Sequence, residues 1–373
     1  MKYVRLGNSG LKVSRIILGC MSYGSPEWQK WVLEEEESLK HIKTAYDAGI
    51  NTFDTANTYS NGASEVILGK AIKQFNLPRD EIVVMTKESE IFASQGAFII
   101  LRLALLQVFF PCGRKPSDLA AYLPNFDEGG YVNQHGLSRK HIFDSVKHSL
   151  ERLQLDYIDV LQCHRFDKDT PIEETVRALE CSILAPNKIQ MQALHDVVKA
   201  GYVRYIGMSS CWAWQFSIMQ NYAIQNNLTP FISMQNHYSM VYREEEREMM
   251  PTLKHFKVGC IPWSPLARGL LTRPISEQSK RGSLDMTISS YHSEPTTKIV
   301  NRVEEIAKKK GKTMAQIALA WVLAKDAVTA PIVGSTSLNN LGELFAATEI
   351  ELSKEEVEYL DEPYQPGKVI GHS

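Results

Sequence analysis

The sequence predicts one α/β domain with the architecture of a closed (β/α)8 barrel, the TIM barrel. Short apolar runs alternate with longer amphipathic stretches over almost all of the 373 residues. That alternation indicates parallel strands joined by helical crossovers. Polar residues able to do chemistry follow the ends of several apolar runs, as they do in barrels. The first predicted strand is not followed by the Gly-x-Gly-x-x-Gly segment that is typical of an open dinucleotide-binding sheet.

Eight apolar runs are predicted to be buried strands, and amphipathic segments between them to be helices. The predicted strands are 16–18, 51–54, 82–86, 158–163, 203–208, 231–235, 258–263 and 330–333, and the predicted helices include 36–48, 64–75, 139–153, 191–200 and 314–324. Gly49 and Gly201 directly follow two of these helices, which is a common stop signal. The segment 7–10 between two short extended runs predicts an N-terminal β-hairpin that closes the bottom of the barrel.

Composition and charge narrow the classes of partner. The net charge of −2 gives no basic surface for nucleic acid or an anionic membrane. The six cysteines are scattered without metal-binding spacing, which indicates reduced thiols in a cytoplasmic protein and no metal site. The opening residues lack the apolar core of a signal peptide. The apolar run 96–112 contains Arg102 and is short for a membrane span, so no membrane anchor is expected.

Four polar residues lie at the ends of three neighbouring predicted strands. Asp54 and Tyr59 follow the second strand, Lys87 ends the third, and His164 follows the fourth. Taken singly, each has a commoner explanation: an aspartate as a cap, a tyrosine or histidine as packing, a lysine reaching solvent. Because the ends of parallel strands meet at one edge, the four are expected to converge on one mouth.

These four groups suit the reduction of a carbonyl. Hydride delivery to a carbonyl leaves an alkoxide, which needs a proton from a positioned acid. Tyrosine has a pKa of about 10, and a nearby ammonium is expected to lower the pKa of Tyr59. Lys87 would supply that charge, Asp54 would hold Lys87, and His164 would donate a hydrogen bond to the substrate oxygen.

Longer motifs carry a resemblance to a known family over nearly the whole chain. They are residues 6–14 (LGNSGLKVS), 53–59 (FDTANTY), 203–210 (VRYIGMSS), 263–269 (WSPLARG) and 331–335 (PIVGS). Together they resemble the aldo-keto reductase superfamily, in particular its fungal members similar to aryl-alcohol dehydrogenases and to versiconal hemiacetal acetate reductase. The resemblance implies reduction of an aldehyde or ketone, best suited to an aryl substrate, with direct hydride transfer from NADPH and Tyr59 as the proton donor.

The resemblance also implies where the cofactor binds. Ser209, Ser210 and Gln235 would hold the nicotinamide carboxamide, and Trp263 would stack on the nicotinamide ring. The remaining implied contacts are Asp54 beside the nicotinamide, Ser264, Pro265, Leu266 and Arg268 along the pyrophosphate, Gly334, Ser335 and Thr336 at the adenosine phosphate, and Asn340 and Glu343 near the adenine. A small-molecule carbonyl substrate is expected, with the protein a monomer or a weak homo-oligomer.

The sequence departs from the common pattern of the family at two places that bear on the cofactor. Ser210 stands where many members have asparagine. Ser337 and Asn340 stand where many NADPH-specific members have basic residues for the 2′-phosphate, so use of NADH stays an alternative. Other basic residues that would compensate are Arg268, Arg273 and Arg281. Some relatives with this barrel are ion-channel accessory subunits in which the bound cofactor acts as a sensor, and that is the alternative from another functional class.

Two segments do not fit the resemblance and are predicted to be inserts, at about 88–107 and 180–192. The second splits a predicted helix and contains Pro186, which an uninterrupted helix does not tolerate. Both end in glutamine, whose codon CAG suits a splice acceptor, so we interpret them as retained introns, with lineage-specific loops as the alternative. A catalytically impaired product is the corresponding functional alternative. The acidic run 244–246 is interpreted as a solvated helix start.

Overall fold

A central sheet of eight parallel strands organises the chain, in a computed structural model that describes residues 1–88, 130–170, 189–277 and 285–372. The strands are β3 (Ile17–Gly19), β4 (Thr52–Asp54), β5 (Val83–Glu88), β6 (Ile158–Cys163), β7 (Val203–Ser209), β8 (Phe231–Gln235), β9 (Gly259–Cys260) and β10 (Ile332–Val333). Neighbours pair in parallel in the order β10-β3-β4-β5-β6-β7-β8-β9. Read as a closed circle from β3 to β10, this order follows the chain, as a barrel requires.

Hydrogen bonds between the two end strands close the sheet. The backbone N–H of Ile332 donates to the carbonyl of Pro262 at 2.8 Å, and the N–H of Thr329 donates to the carbonyl of Cys260 at 2.8 Å. The predicted (β/α)8 barrel is confirmed. The strands β9 and β10 are shorter than predicted because Pro262 and Pro331 lack the N–H group that would continue the ladder.

The predicted N-terminal hairpin is formed by β1 (Tyr3–Arg5) and β2 (Lys12–Ser14), which pair antiparallel. Its turn lies against the starts of β8 and β9, at the bottom of the barrel. Gly7 has a φ of +58°, and a Cβ there would lie 2.5 Å from the carbonyl oxygen of Ile232. Only glycine fits this contact, because both the backbone angle and the space exclude a side chain.

Ten α-helices surround the sheet within the described residues. They are α1 (Glu35–Asp47), α2 (Ala63–Gln74), α3 (Arg139–Leu153), α4 (Ile189–Lys199), α5 (Ala213–Gln225), α6 (Met249–Phe256), α7 (Glu294–Lys310), α8 (Met314–Leu323), α9 (Leu338–Phe345) and α10 (Lys354–Asp361). The five predicted helices are all present, with ends shifted by no more than two residues. Ser138 and Thr313 cap α3 and α8, and these side chains fix where the helices begin. No helix of the described residues is long and apolar enough to cross a membrane.

The lower half of the barrel is filled with apolar side chains. Leu6, Val13, Ile17, Met85 and Val160 belong to this buried cluster. Met85 lies two residues before Lys87 on β5, so both side chains face the same side of the strand. Polar chemistry is therefore left to the upper end of the barrel, where the strands end.

Most of the two predicted inserts lies outside the described residues, and what is described belongs to the fold. Glu88 is the last residue of β5, where it pairs with Cys163 of β6. Residues 189–192 form the start of α4, and the amide nitrogen of Gln190 donates to the carbonyls of Asp167 and Thr170. The boundaries of the inserts therefore stay a prediction, with Glu88 already inside a strand.

Glu88 carries a buried carboxyl group whose two oxygens have no hydrogen-bond partner among the described residues. Burial, with the nearby Glu65 carboxylate, raises the pKa of Glu88 well above its ordinary value. The folded protein therefore holds Glu88 neutral where the unfolded chain ionises it. Burial of Glu88 costs no stability below about pH 4.3, the pKa of glutamate in the unfolded chain. Above that pH the unfolded chain ionises and the folded protein loses stability relative to it.

Glu88→Gln is expected to remove this pH dependence. The free energy of unfolding of the unmodified protein should fall relative to the variant by up to about 1.4 kcal/mol per pH unit above pH 4.3, until Glu88 ionises in the folded state. Urea unfolding at several pH values measures the difference. Glu358→Gln, at an exposed position of α10, serves as the control. Parallel pH profiles for the protein and the Glu88→Gln variant would show that Glu88 is not held neutral.

Candidate active site

The predicted reactive residues lie together at the upper end of the barrel. Asp54 ends β4, Lys87 is the penultimate residue of β5, and His164 directly follows β6. Tyr59 follows β4 by a short loop. All four side chains are at least nine-tenths buried. The structure thus brings together, at one end of the barrel, residues up to 110 positions apart in the sequence.

Lys87 is held by three oxygen acceptors. Its Nζ lies 2.7 Å from Oδ2 of Asp54, 2.8 Å from the carbonyl oxygen of Thr55 and 3.3 Å from the hydroxyl of Tyr59. The three contacts match the three hydrogens of an ammonium group. Burial opposes the charged form, but the Asp54 carboxylate and the Tyr59 hydroxyl outweigh it and raise the pKa of Lys87. Lys87 is therefore a fixed cation beside Tyr59.

Asp54 is in turn oriented by two glutamines. Its Oδ1 accepts hydrogen bonds of 2.9 Å from the amide nitrogens of Gln162 and Gln235. Gln235 also donates to Oε1 of Gln162 at 2.9 Å. These bonds leave one carboxylate oxygen for the glutamines and the other for Lys87, so the ion pair has one geometry. Sequence reasoning missed Gln162, although a polar residue next to last in an apolar strand was a signal.

The pKa of Tyr59 is raised, whereas the sequence predicted that it would be lowered. Burial raises the pKa of Tyr59 above its ordinary value, and Lys87 offsets only part of that rise. The prediction that Lys87 lowers the pKa is right for the pair, but wrong for the sum, because the hydroxyl is almost fully removed from water. Tyr59 consequently keeps its proton through the neutral range, which is the form a general acid needs.

His164 lies edge-on to Tyr59, with ring centroids 6.1 Å apart and planes at 84°. Burial lowers the pKa of His164 well below its ordinary value, and the cations Arg165 and Lys87 add to this effect. The ring is therefore neutral and can donate one hydrogen bond without adding charge. Its Nδ1 has no hydrogen-bond partner among the described residues.

The loop that carries Tyr59 has an unusual backbone. Ser60 and Asn61 have φ values of 51° and 50°, in the left-handed region that side chains disfavour. Such conformations cost on the order of 1 kcal/mol each and persist only where the surroundings enforce them. The hydroxyl of Ser60 accepts a hydrogen bond from the N–H of Ser25 at 3.2 Å, which ties the loop to the segment after β3.

A cavity of about 680 Å³ extends from Tyr59 and His164 across the top of the barrel to α9. Nearly all residues predicted to bind the cofactor line it. They are Asp54, Ser209, Gln235, Trp263, Ser264, Pro265, Leu266, Arg268, Gly334, Ser335, Thr336, Asn340 and Glu343. Residues not predicted but also in the wall include Gly19, Met21, Ser22, Thr313 and Glu277. One space therefore joins the predicted reactive residues to the predicted phosphate and adenine contacts.

Ser210 and Arg268, two of the predicted cofactor residues, each pair with another side chain of the protein. Ser210 is fully buried behind the cavity wall, and its hydroxyl accepts a hydrogen bond from Nε1 of Trp263 at 3.1 Å. Arg268 lies in the wall, but its guanidinium pairs with the buried Asp285 at 2.7 Å. Ser210 therefore orients Trp263, and Arg268 faces an anion already. Sequence reasoning gave no signal for Asp285.

The wall of the cavity contains arginines besides Arg268. Arg273 lines the wall, and its Nε is buried without a hydrogen-bond partner among the described residues. Ser337 instead caps α9, since its hydroxyl accepts a hydrogen bond from the N–H of Asn340. The third predicted basic residue, Arg281, lies outside the described residues. Of the three predicted basic residues, Arg273 is thus the described candidate for meeting an anionic group.

The acidic run 244–246 is not a solvated helix start, and that prediction is wrong for Glu244 and Glu245, which are buried. Glu244 accepts hydrogen bonds from the hydroxyl of Tyr364 at 2.6 Å and the N–H of Gly367 at 2.9 Å. Oε1 of Glu245 lies 3.0 Å from Nε2 of His372. The run anchors the C-terminal segment across the top of the barrel. No local pattern predicts this, because the partners are about 120 residues away.

The known proteins most similar to this chain belong to one family. The sequence profile of the aldo/keto reductase family matches residues 15–365. Versiconal hemiacetal acetate reductase of Aspergillus parasiticus is 47% identical, over 98% of both chains. The aldo-keto reductase dtxS3 of Metarhizium robertsii is 45% identical, over the whole of this chain and 93% of its own. A Schizosaccharomyces pombe protein that carries the name aryl-alcohol dehydrogenase is 46% identical, over 99% of this chain and 97% of its own.

The chain belongs to the aldo/keto reductase family. It is therefore an oxidoreductase. Membership of this family supports carbonyl reduction as the general type of reaction. The resemblance drawn from the sequence motifs is confirmed.

Proposed function

We propose that this aldo-keto reductase reduces an aryl aldehyde or ketone to the alcohol with NADPH, and that Tyr59 donates the proton. The observation that carries the proposal is the contact of Lys87 with both Asp54 and Tyr59 at the mouth of the cavity. A buried ammonium beside a protonated phenol stabilises the phenolate that remains after proton transfer.

The residues present fit a dinucleotide. The cavity is long enough to reach from Tyr59 to α9, and Arg273 offers it a buried nitrogen that has no partner among the described residues. Gln235, Ser209 and Trp263 would hold the nicotinamide end. When bound, the reduced dinucleotide supplies the hydride.

The protein's own groups then manage the proton. The neutral ring of His164 hydrogen-bonds the carbonyl oxygen and orients it towards the hydroxyl of Tyr59. As negative charge develops on that oxygen, Tyr59 transfers its proton to it, because an alkoxide is a stronger base than a phenolate. Lys87 stabilises the resulting phenolate at once, since its Nζ already lies 3.3 Å from the phenol oxygen.

Aromatic side chains that pack beside Tyr59 favour an aryl substrate. Trp28 lies with its ring centroid 6.4 Å from that of Tyr59 and forms a buried cluster with Trp31. Such rings offer flat apolar surfaces to a second ring. The name of the Schizosaccharomyces pombe relative, aryl-alcohol dehydrogenase, points to the same class.

The direct test follows cofactor oxidation by absorbance with a panel of aromatic and aliphatic aldehydes. We expect turnover with NADPH, faster for aromatic members. The same assay on a form without residues 88–107 and 180–192 separates an intact reductase from a product impaired by retained introns. Activity that appears only in the shortened form would support impairment. Tight NADPH binding without turnover in either form would overturn the proposed reaction and favour the sensor alternative.

Arg273→Ala is expected to weaken the preference for NADPH. A charge-assisted hydrogen bond to the 2′-phosphate contributes about 1.5–3 kcal/mol, so the KM for NADPH should rise about tenfold or more. The KM for NADH should stay nearly unchanged, because NADH lacks that phosphate. Steady-state kinetics with both cofactors provides the measurement, and Arg247→Ala, at an exposed position, is the control. An equal rise for both cofactors would contradict this role of Arg273.

A further inference from the structure

We propose that His237 is a positioning residue that fixes the plane of Trp263 against the nicotinamide ring and links Trp263 to Arg268. The inference rests on the proposed function, since it takes the cavity to hold a nicotinamide dinucleotide. His237 follows β8 by two residues, and sequence reasoning gave it no role.

Three aromatic rings form a parallel stack behind the cavity wall. The ring centroid of His237 lies 4.1 Å from that of Trp263, with planes at 9°, and 4.0 Å from that of Tyr242, with planes at 13°. His237 and Tyr242 are buried, whereas Trp263 is partly exposed and lines the cavity. His237 therefore covers the inner face of Trp263 and leaves the outer face for a ligand.

Hydrogen bonds at the edges of the rings prevent them from turning in their planes. The hydroxyl of Tyr291 lies 2.8 Å from Nε2 of His237. Nε1 of Trp263 donates to the hydroxyl of Ser210, and the backbone N–H of Trp263 donates to the carbonyl of Asn236 at 2.7 Å. The stack is thus held both face to face and at its rim, which is what a fixed platform requires.

The charge state of His237 suits this position. Burial lowers the pKa of His237 well below its ordinary value, with further lowering from Arg268 and Arg165. The ring is neutral at physiological pH. An oxidised nicotinamide carries a positive charge, so a neutral imidazole behind Trp263 avoids a repulsion that a protonated one would add.

Tyr291 extends the contact chain to the phosphate loop. Its hydroxyl also contacts the guanidinium of Arg268, which pairs with Asp285 at 2.7 Å. The chain Arg268, Tyr291, His237 and Trp263 therefore runs from the expected pyrophosphate position to the expected nicotinamide position. A change of packing at His237 should act mainly on the nicotinamide end, where the stack meets the cavity.

His237→Leu is the test, because it removes the flat ring and keeps apolar bulk. Calorimetric titration should show about three- to tenfold weaker binding of NADPH and of reduced nicotinamide mononucleotide, the loss of one aromatic pair. Binding of adenosine 2′,5′-bisphosphate, which lacks the nicotinamide, should change by less than about twofold. His237→Phe restores a flat ring and should restore binding of the nicotinamide-containing probes.

Tyr238→Leu is the matched control, since Tyr238 is the next residue, is buried and stacks on Trp321 away from the cavity. It should leave the binding of all three probes unchanged. Three results would overturn this inference and leave the proposed function standing. They are unaltered binding of the nicotinamide-containing probes by His237→Leu, an equal loss of binding for the adenosine probe, and the same loss in Tyr238→Leu. A wild-type protein that binds no NADPH would overturn the proposed function together with it.

Discussion

Tyr59→Phe is expected to lose about 10²- to 10⁴-fold in kcat while still binding NADPH, because only the transferable proton is removed. The phenyl ring keeps the packing of Tyr59 against Trp28 and His164. The hydroxyl contributes one contact of 3.3 Å to Lys87, whose two shorter contacts remain. Steady-state reduction of an aromatic aldehyde and fluorescence titration with NADPH measure the two effects separately.

Tyr46→Phe is a suitable control for this variant, since its hydroxyl contacts Glu81 at the surface and lies far from the cavity in the fold. It should turn over normally. Wild-type turnover in Tyr59→Phe would show that another group supplies the proton, whereas a parallel loss of cofactor binding would show that the variant has damaged the site.

Lys87→Met is expected to have the second largest effect, on both turnover and its pH dependence. Lys87 lowers the pKa of Tyr59, so its removal raises that pKa further. The protonated form of Tyr59 then persists to higher pH, and the alkaline limb of the kcat profile should shift to higher pH. The maximum rate should fall, because the phenolate loses its counter-cation. An unshifted limb would contradict the coupling between Lys87 and Tyr59.

The same variant tests the stability of the buried pair. Removing one partner of a buried ion pair destabilises by about 3–5 kcal/mol, because the other charge stays buried. The glutamine donors to Asp54 reduce this cost. The double variant Asp54→Asn with Lys87→Met should recover part of the loss in urea unfolding, since no uncompensated charge remains. A double variant less stable than Lys87→Met would argue against this explanation.

The barrel and the positions of the candidate reactive residues were predictable because their signals are local. A short apolar run followed by a polar residue marks the end of a strand, as at Asp54, Lys87 and His164. In a parallel barrel all such ends meet, so sequence position alone places them on one side. The lengths of β9 and β10 were predicted less well, although Pro262 and Pro331, which shorten these strands, were visible in the sequence.

The features that escaped prediction depend on contacts between distant parts of the chain. Nothing near Glu244 indicates that Tyr364 will bury it. Nothing near Arg268 indicates the pairing with Asp285 across the loop. The net pKa of Tyr59 depends on how much water the assembled fold removes, which a residue pattern does not contain.

Transfer of deuterium from NADPH tests the central claim most directly. The wild-type protein is supplied with NADPH carrying two deuterium atoms at C4 of the nicotinamide and with an aromatic aldehyde, and the product is analysed by mass spectrometry. Direct hydride transfer predicts an alcohol with one deuterium bound to the former carbonyl carbon, formed slowly or not at all by Tyr59→Phe. An alcohol without deuterium, or no alcohol from either the full chain or the form without the two inserts, would contradict the account.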